Sequence, residues 1–261
     1  MIRSLWNAAS GLRAGQIRVD TVAHNVANIN TPGYRRAQVD FADLLYETAA
    51  GGRLLLGNGV RPMVMTNDAS PGPLEQTGNT LDLAIDGQGY FVVQAGDGAL
   101  RYTRDGSFKL DGEGRIVTSA GLLLRLDGPD GGLARIPPDA RELTVDSGGA
   151  VTCVAGDGAE PIVLGRIRIA CPLPAASGRT PAMLPVGGNL FVPADGTTVV
   201  LHAPGQKGSG GVRQGWLERS NVVLADELVE LITAQRAFEL NSRAVQTADQ
   251  MLSLANGIRR G

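Results

Sequence analysis

Glycine and proline are concentrated in the middle of this chain. Of the 36 glycines, 31 lie between residues 34 and 215, and no proline occurs before Pro32 or after Pro204. Both residues interrupt regular helices, glycine through its conformational freedom and proline through its missing N–H group. This distribution predicts long uninterrupted helices at both ends of the 261-residue chain and a turn-rich middle.

The amino-terminal segment has the apolar spacing of a helix that packs along a second helix. Positions 2, 5, 9, 12, 16, 19, 23 and 26 alternate steps of three and four residues, and only Gln16 among them is polar. We predict a helix over residues 4–26 with the packing residues Ile2, Leu5, Leu12, Val19 and Val26. Gly11 and Gly15 lie one turn apart, where they allow a neighbouring backbone to approach closely or, as the alternative, give local flexibility.

The carboxyl-terminal segment predicts a second, longer helix. Residues 222–256 contain no glycine or proline, Ser220 or Asn221 is positioned to cap the start, and Asp226 and Glu227 complement the positive end of the helix dipole. Its assigned packing residues are Leu224, Leu228, Leu231, Phe238, Val245 and Leu252. Because 20 of the 37 residues from 222 to 258 are apolar, one partner helix leaves apolar surface uncovered. This surplus predicts self-association, the alternative being that the middle of the chain covers it.

The middle of the chain changes from helical periodicity to short apolar runs separated by turns. Runs such as 83–85, 90–93, 115–118, 143–145 and 162–164 alternate with Asp-Gly pairs that favour hairpins. The predicted fold class is therefore α+β, with the two terminal helices paired as a coiled coil and a mainly antiparallel central β domain. The predicted divisions are a helical polymerisation segment at 1–34, a partly extended connector at 35–75, the β domain at 76–216 and a second helical polymerisation segment at 217–261.

Few residues in the chain suggest catalytic chemistry. The net charge of −2 gives no general attraction to nucleic acid, and His24 and His202 are the only histidines. No catalytic, cofactor or metal-binding motif is present, so we predict no enzyme activity, no cofactor and no metal. A carboxylate pair of the glycosidase type stays open, because distances in space are not visible in a sequence. Cys153 and Cys171 are read as two free thiols or one disulfide.

The chain also lacks the signals of membrane insertion or cleaved export. Its terminal segments never reach the roughly 18 consecutive apolar residues of a membrane span. The amino terminus has no uninterrupted apolar stretch followed by a small-residue cleavage site. We therefore expect no membrane span and no cleaved signal peptide.

Several motifs, in order along the chain, resemble the flagellar basal-body rod and hook family. They are Met1 to Trp6; Asn28, Asn30, Thr31, Pro32, Gly33 and Tyr34; Gly87 and Gly89 within 83–91; 102–108; 188–191; and Ser220, Asn221 and Val222 within 214–222. These matches are spread over nearly the whole chain. Within the family, the opening residues and the Ser-Asn-Val helix entry are most similar to the distal-rod members.

The resemblance implies a structural, non-enzymatic subunit of the rod of the bacterial flagellum. Such proteins form a helical homopolymer, the hollow drive shaft that transmits torque to the hook and passes exported subunits. The implied partners are copies of itself, other rod subunits, the hook protein, the rings around the rod and the flagellar type III export apparatus. The implied location is the periplasmic basal body, reached without a cleaved signal peptide.

One segment departs from the distal-rod pattern. Distal-rod proteins carry a longer insert than residues 47–58 of this chain, which include Gly51 and Gly52. That insert is associated with the difference between a straight rod and a flexible hook. A proximal-rod or hook-type subunit is therefore the alternative within the family, and a rod-associated cell-wall hydrolase is the remote alternative outside it.

Overall fold

The chain forms two compact units in a computed structural model that describes residues 2–47, 55–128, 135–137, 140–155, 161–173, 183–206 and 208–258. Unit 1 combines three separate stretches, Met1–Ile29, Arg35–Ala69 and Val222–Gly261. Unit 2 consists of Asn30–Tyr34 and Ser70–Asn221. The helices lie in unit 1 and the larger sheets in unit 2, which makes the chain an α+β protein.

Two helices at the ends of the chain confirm the first prediction. Helix α1 spans Ile2–Ala27 and helix α2 spans Leu224–Ile258, so α2 is about 50 Å long at 1.5 Å per residue. The helices pack antiparallel, because Gly11 lies against Asn241 and Gly15, further along α1, lies against Phe238.

Helix α2 starts two residues after its predicted position, and the cap at Ser220 or Asn221 stays a prediction. The helix begins at Leu224, and its first turn closes with a hydrogen bond from the Glu227 N–H to the Val223 carbonyl oxygen at 3.1 Å. The side-chain amide of Asn221 donates to the Ser70 carbonyl oxygen at 3.1 Å. Asp226 and Glu227 do lie in the first turn, where their charge is favourable to the helix dipole.

A long β-hairpin completes unit 1. Strand β1 (Ala37–Glu47) pairs antiparallel with strand β2 (Leu55–Asn67), with Ala37 opposite Asn67 and Asp43 opposite Val60. The sequence left residues 39–46 either helical or extended, and they are extended. Their burial fits the two-residue period of a strand with one slip, because Asp40, Asp43 and Leu45 are exposed and the side chains between them are half-buried. Gly51 and Gly52 of the predicted short connector lie outside the described residues.

Unit 2 is built from short strands whose pairs are all antiparallel within the described ladders. The strands are β3 Leu74–Gln76, β4 Leu83–Asp86, β5 Tyr90–Gln94, β6 Leu100–Thr103, β7 Lys109–Leu110, β8 Ile116–Val117, β9 Leu123–Leu124, β10 Leu126–Asp127, β11 Ala140–Val145, β12 Ala150–Ala155, β13 Ile162–Ile167, β14 Ile169–Leu173, β15 Met183–Gly187, β16 Leu190–Pro193, β17 Thr198–His202, β18 Gly211–Gln214 and β19 Trp216–Glu218. The largest sheet has the order β15-β16-β6-β5-β9-β8-β7, with β14 pairing both β5 and β17. A second sheet has the order β10-β13-β12-β11, and two further pairs are β18-β4 and β19-β3.

The core of unit 2 lies between these sheets. Phe91 and Phe108 are almost fully buried and meet edge to face, with ring centroids 5.4 Å apart. Apolar side chains from other sheets join them, including Ile85 of β4 and Val151 and Ile167 of the four-stranded sheet. Burial of this kind provides most of the driving force for folding.

The Asp-Gly pairs predict turns better than they predict hairpins. Asp97-Gly98 connects the paired strands β5 and β6, and Asp111-Gly112 connects β7 and β8. The hairpin expectation is wrong at three other pairs, where the flanking strands pair elsewhere: Asp86-Gly87, Asp105-Gly106 and Asp195-Gly196. Asp157-Gly158 lies outside the described residues.

Candidate functional site

Small residues bring α1 and α2 close together. A Cβ atom at Gly11 would lie 2.8 Å from the Nδ2 atom of Asn241, which is closer than van der Waals contact permits. At Gly15 the same atom would meet Phe238 Cβ at 3.6 Å, an ordinary contact. Gly11 therefore belongs to the helix–helix contact, and the flexibility alternative is not needed to explain it.

The predicted packing residues divide into half-buried and exposed groups. Half-buried side chains or backbone positions are Leu5, Gly11, Leu12, Gly15, Val19, Val26, Leu231 and Val245. Three are exposed within the chain, namely Leu224 at 45%, Leu228 at 46% and Phe238 at 37%. The helices include Ile2 and Leu252, whose side chains lie outside the described residues.

The buried face of α1 is shifted from the predicted seam at every second position. Ala9, Gln16 and Ala23 are exposed, whereas Ala8 and Val22 are 7% and 2% exposed. A second set of residues is also apolar or glycine and is also spaced alternately by three and four positions, namely 5, 8, 12, 15, 19, 22 and 26. The apolar pattern therefore fits two neighbouring faces of α1. Helix α2 covers the face that contains Gly15, where its backbone can come closest.

An apolar row on α2 is partly exposed to solvent. Leu224, Leu228 and Ile232, here called the α2 stripe, are 45%, 46% and 58% exposed and are spaced four residues apart. Residues at this spacing form one continuous surface on a helix. Val229 at 65% exposure widens it. Contiguous exposed apolar surface of this kind marks an interaction site.

A buried polar network joins α1, α2 and the hairpin. Asn25 donates from Nδ2 to the Ala37 carbonyl oxygen and accepts from the Ala37 N–H through Oδ1, both at 2.9 Å. Asn25 Nδ2 also donates to Glu227 Oε2 at 3.1 Å. Arg36 donates to Glu227 and, at 2.6 Å, to Glu230 Oε2. We call these five residues the Asn25–Glu227 network.

The Glu227 carboxylate at the centre of this network is fully buried, whereas Arg36 and Glu230 are half-buried. Asn25 is 1% exposed and Glu227 is 0% exposed. The hydrogen bond from Arg36 to Glu227, together with the two nearby carboxylates, raises the pKa of the Arg36 guanidinium above its ordinary value. Because a buried carboxylate is stable only with partners, Glu227 depends on both Asn25 and Arg36.

Hydrogen bonds hold the family-motif residues that follow α1 to two other parts of unit 2. Gly33 donates its N–H to the Glu218 carbonyl oxygen at 2.8 Å, and Pro32 accepts from Asn189 Nδ2 at 2.8 Å. Gly33 has a φ of 67°, and a Cβ atom there would lie 2.5 Å from the Arg104 carbonyl carbon. Glycine is required at this position for both reasons.

A buried ion pair lies behind this turn. Arg104 Nη1 donates to Glu218 Oε2 at 3.0 Å, and the two side chains are 4% and 1% exposed. Arg104 Nη2 donates to the Gly87 carbonyl oxygen at 2.6 Å, and Glu218 Oε1 accepts from the Gly72 N–H at 2.9 Å. The ion pair thus connects four separate stretches of unit 2.

The remaining motif residues occupy tight or connecting positions. Gly89 has a φ of 121°, and a Cβ atom there would lie 2.0 Å from Ile169 Cγ2. Asn28 donates its side-chain amide to the His24 carbonyl oxygen at 2.9 Å, and Asn30 accepts from Arg219 at 3.4 Å. Other hydrogen bonds join Thr31 to Tyr34 and Tyr34 to Asn221, while Ser220 and Val222 are buried at 6% and 7% exposure. These motif residues shape the points where the chain enters and leaves unit 2.

The described residues contain no cluster of histidine, cysteine or acidic side chains that could hold a metal ion. A cleft of about 430 Å³ in unit 2 has Asp127 as the one carboxylate among its described lining residues, and Arg168 pairs with it at 2.5 Å. A glycoside hydrolase uses two carboxylates. The described lining residues of this cleft therefore do not provide the pair that the hydrolase alternative requires.

Both cysteines are free thiols. Cys153 is fully buried and Cys171 is partly buried. Burial raises the pKa of both thiols, and the positive charge of Arg104 partly offsets this for Cys171. Both groups are therefore poor nucleophiles at neutral pH, because the thiolate is the reactive form.

Neither described helix is both long enough and apolar enough to cross a membrane.

Three models of protein families match successive parts of the chain. The flagella basal body rod protein model matches residues 5–35, the flagellar hook protein FlgE/F/G D1 domain matches 84–153, and the flagellar basal body rod FlgEFG protein C-terminal model matches 213–258. The matched parts contain α1, most of the larger sheets and α2. They define a protein of the flagellar rod and hook class.

Relatives that match over the full length of the chain identify the family within this class. The chain is 38% identical to the flagellar basal-body rod protein FlgG of Agrobacterium fabrum over 98% of both chains. It is 36% identical to FlgG of Borreliella burgdorferi and 35% identical to FlgG of Bacillus subtilis, over the full length of both chains in each case. The chain therefore belongs to the FlgG family of flagellar basal-body rod proteins.

Proposed function

We propose that this chain is a structural subunit of the rod of the bacterial flagellar basal body, and that it polymerises with copies of itself through unit 1. The observation that carries the proposal is the exposed α2 stripe. Leu224, Leu228 and Ile232 are about half exposed in the subunit, and burying them against a neighbouring subunit would remove apolar surface from water. The relatives are named flagellar basal-body rod protein FlgG, which supports the role of a rod subunit.

The proposal includes a coiled-coil type of contact between α1 and α2. Close approach at Gly11 and Gly15 and the alternating three- and four-residue spacing of the α1 face support it. Dense packing of this kind resists deformation, which a shaft that transmits torque requires. The terminal segments 1–34 and 217–261 would then polymerise, and residues 76–216 would form the β domain that the polymer carries. Residues 35–75 would connect them, and the β1/β2 hairpin that they contain would take part in the contacts of unit 1.

The proposed surroundings follow from membership of the FlgG family. Its partners would be other rod subunits, the hook protein, the rings around the rod and the type III export apparatus. It would lie in the periplasm after export without cleavage. The distal rod is the favoured position, because relatives named FlgG match over the full chain at 34–38% identity. A proximal-rod or hook-type position is the alternative suggested by the short segment 47–58.

Deleting the gene and imaging the basal bodies tests the function. We expect cells without this protein to be non-motile and their basal bodies to lack the distal segment of the rod. The unaltered gene, supplied in trans, serves as the control and should restore both. Basal bodies that retain a full-length rod and hook would contradict the proposal, and loss of the proximal segment would assign the alternative position.

A further inference from the structure

We propose that the Asn25–Glu227 network couples the pairing of α1 and α2 to the position of the β1/β2 hairpin. The hairpin would be fixed in place only when the two helices are paired. The use of this coupling during assembly rests on the proposed function, whereas the coupling itself is a property of unit 1. Asn25, Arg36 and Glu227 are its positioning residues.

The hairpin needs support from outside its own two strands. Among the described residues, β1 and β2 pair only with each other, and an isolated two-stranded hairpin is marginally stable in water. The consecutive side chains Met63, Val64 and Met65 are 60%, 53% and 53% exposed. Because successive side chains in a strand point to opposite faces, both faces of the hairpin are uncovered here. Its attachments to the helices must therefore hold it.

Some of these attachments involve α1 alone. The Val60 N–H donates to Ser10 Oγ at 3.2 Å, and Asn7 Nδ2 donates to the Gly57 carbonyl oxygen at 3.3 Å. Both bonds are on exposed or half-buried groups, so water can replace them at little cost. They guide the middle of the hairpin along α1 but do not involve α2.

The base of the hairpin is attached differently, because α2 takes part. Asn25 makes two hydrogen bonds to the backbone of Ala37, the first residue of β1. A carboxylate only accepts hydrogen bonds, so Glu227 on α2 holds the Nδ2 side of Asn25 toward itself and leaves Oδ1 facing the Ala37 N–H. Glu227 on α2 thus favours the same orientation of the Asn25 amide that the two bonds to Ala37 require.

Arg36 adds a direct link from the chain just before β1 to α2. It donates to Glu227 and Glu230, while Arg18 on α1 also donates to Glu230 at 3.0 Å. Separating the helices would remove Glu227 from Asn25 and Arg36 together. Moving the hairpin would leave the buried Glu227 with fewer donors. Each of these changes makes the other less costly. The pairing of the helices and the positioning of the hairpin are therefore coupled, and the coupling is reciprocal.

In assembly, this coupling would delay presentation of the hairpin. A subunit whose helices are unpaired would not hold Met63, Val64 and Met65 in a fixed position. Once the helices pair, the hairpin would become a defined surface for a neighbouring subunit.

A disulfide between the helices makes the test possible in the full-length monomer. The Cβ position at Gly15 lies 3.6 Å from Phe238 Cβ, within the roughly 3.5–4.5 Å that a disulfide spans. The test chain carries Gly15→Cys and Phe238→Cys, together with Cys153→Ala and Cys171→Ala to prevent other pairings. Hydrogen–deuterium exchange is then followed in peptides from the two helices, the hairpin and unit 2, before and after reduction.

We expect the oxidised chain to exchange the amides of β1 at least about tenfold more slowly than the reduced chain. Adding Glu227→Gln to the oxidised chain should return these amides to the fast rate. Glu239→Gln is the matched control, because Glu239 lies on the same helix in an exposed ion pair with Arg236 at 3.3 Å. It should leave the protection unchanged. Arg36→Gln, which leaves both helices unaltered, should act like Glu227→Gln.

Two results would overturn the coupling. One is equal exchange of the β1 amides in the oxidised and reduced chains. The other is full protection of β1 in the oxidised chain when Glu227→Gln or Arg36→Gln is present. Unit 2 peptides report whether each variant is folded. Because no step of this test involves polymerisation, its outcome is independent of whether the chain forms the rod.

Discussion

Replacing Leu228 with aspartate is expected to abolish rod assembly and motility while leaving the isolated subunit folded. Leu228 is 46% exposed at the centre of the α2 stripe, so an aspartate there stays in water in the monomer. In the polymer it would be buried against an apolar neighbour without a partner, at a cost of about 3 kcal/mol or more for each contact. Swimming assays and electron microscopy of basal bodies measure the effect.

The matched control is Val163→Asp in β13 of unit 2. It also replaces an exposed apolar side chain with aspartate, since Val163 is 60% exposed. It should leave axial polymerisation intact. Leu231 is a less informative position than Leu228, because it is half-buried within unit 1 and its substitution would also disturb the subunit. Normal motility with Leu228→Asp would contradict the packing role of the stripe.

Replacing Glu218 with alanine is expected to destabilise unit 2 by about 3–5 kcal/mol, because it leaves the charge of the buried Arg104 without its carboxylate. Urea unfolding followed by the fluorescence of Trp216 measures this. Trp6→Phe removes the other tryptophan of the chain, so that the signal reports only unit 2. The midpoint should fall with little change in the slope of the transition.

The control for this prediction is Arg219→Ala, which removes an exposed ion pair with Glu75 at 3.3 Å and should change the stability by about 1 kcal/mol or less. Replacing both buried partners, with Arg104→Met and Glu218→Leu, should cost less than Glu218→Ala alone, since neither charge is then left unpaired. If Glu218→Ala and Arg219→Ala had equal effects, Arg104 and Glu218 would not be coupled as the structure indicates.

The long helices and the antiparallel middle could be predicted because their signals are local. Uninterrupted three- and four-residue spacing located α1 and α2 to within about two residues at each end. The face that α1 turns toward α2 could not be chosen. Ala8, Gly15 and Val22 satisfy the same spacing as Ala9, Gln16 and Ala23, and only the position of α2 decides between them.

The buried polar groups could not be predicted, because each depends on residues far apart in sequence. Asn25 and Glu227 are separated by 202 positions, and Arg104 and Glu218 by 114. Arg104 and Glu218 lie within motifs of the family, and the sequence indicated a favourable position of Glu227 at the helix dipole. Neither observation identifies the distant residue that each side chain binds.

A cryo-electron microscopy reconstruction of the rod from cells that express this protein tests the central claim most directly. We expect Leu224, Leu228 and Ile232 of each subunit to be buried against a neighbouring copy, with α1 and α2 paired within the subunit. A rod in which the α2 stripe remains exposed to solvent and the copies contact one another only through unit 2 would contradict the account.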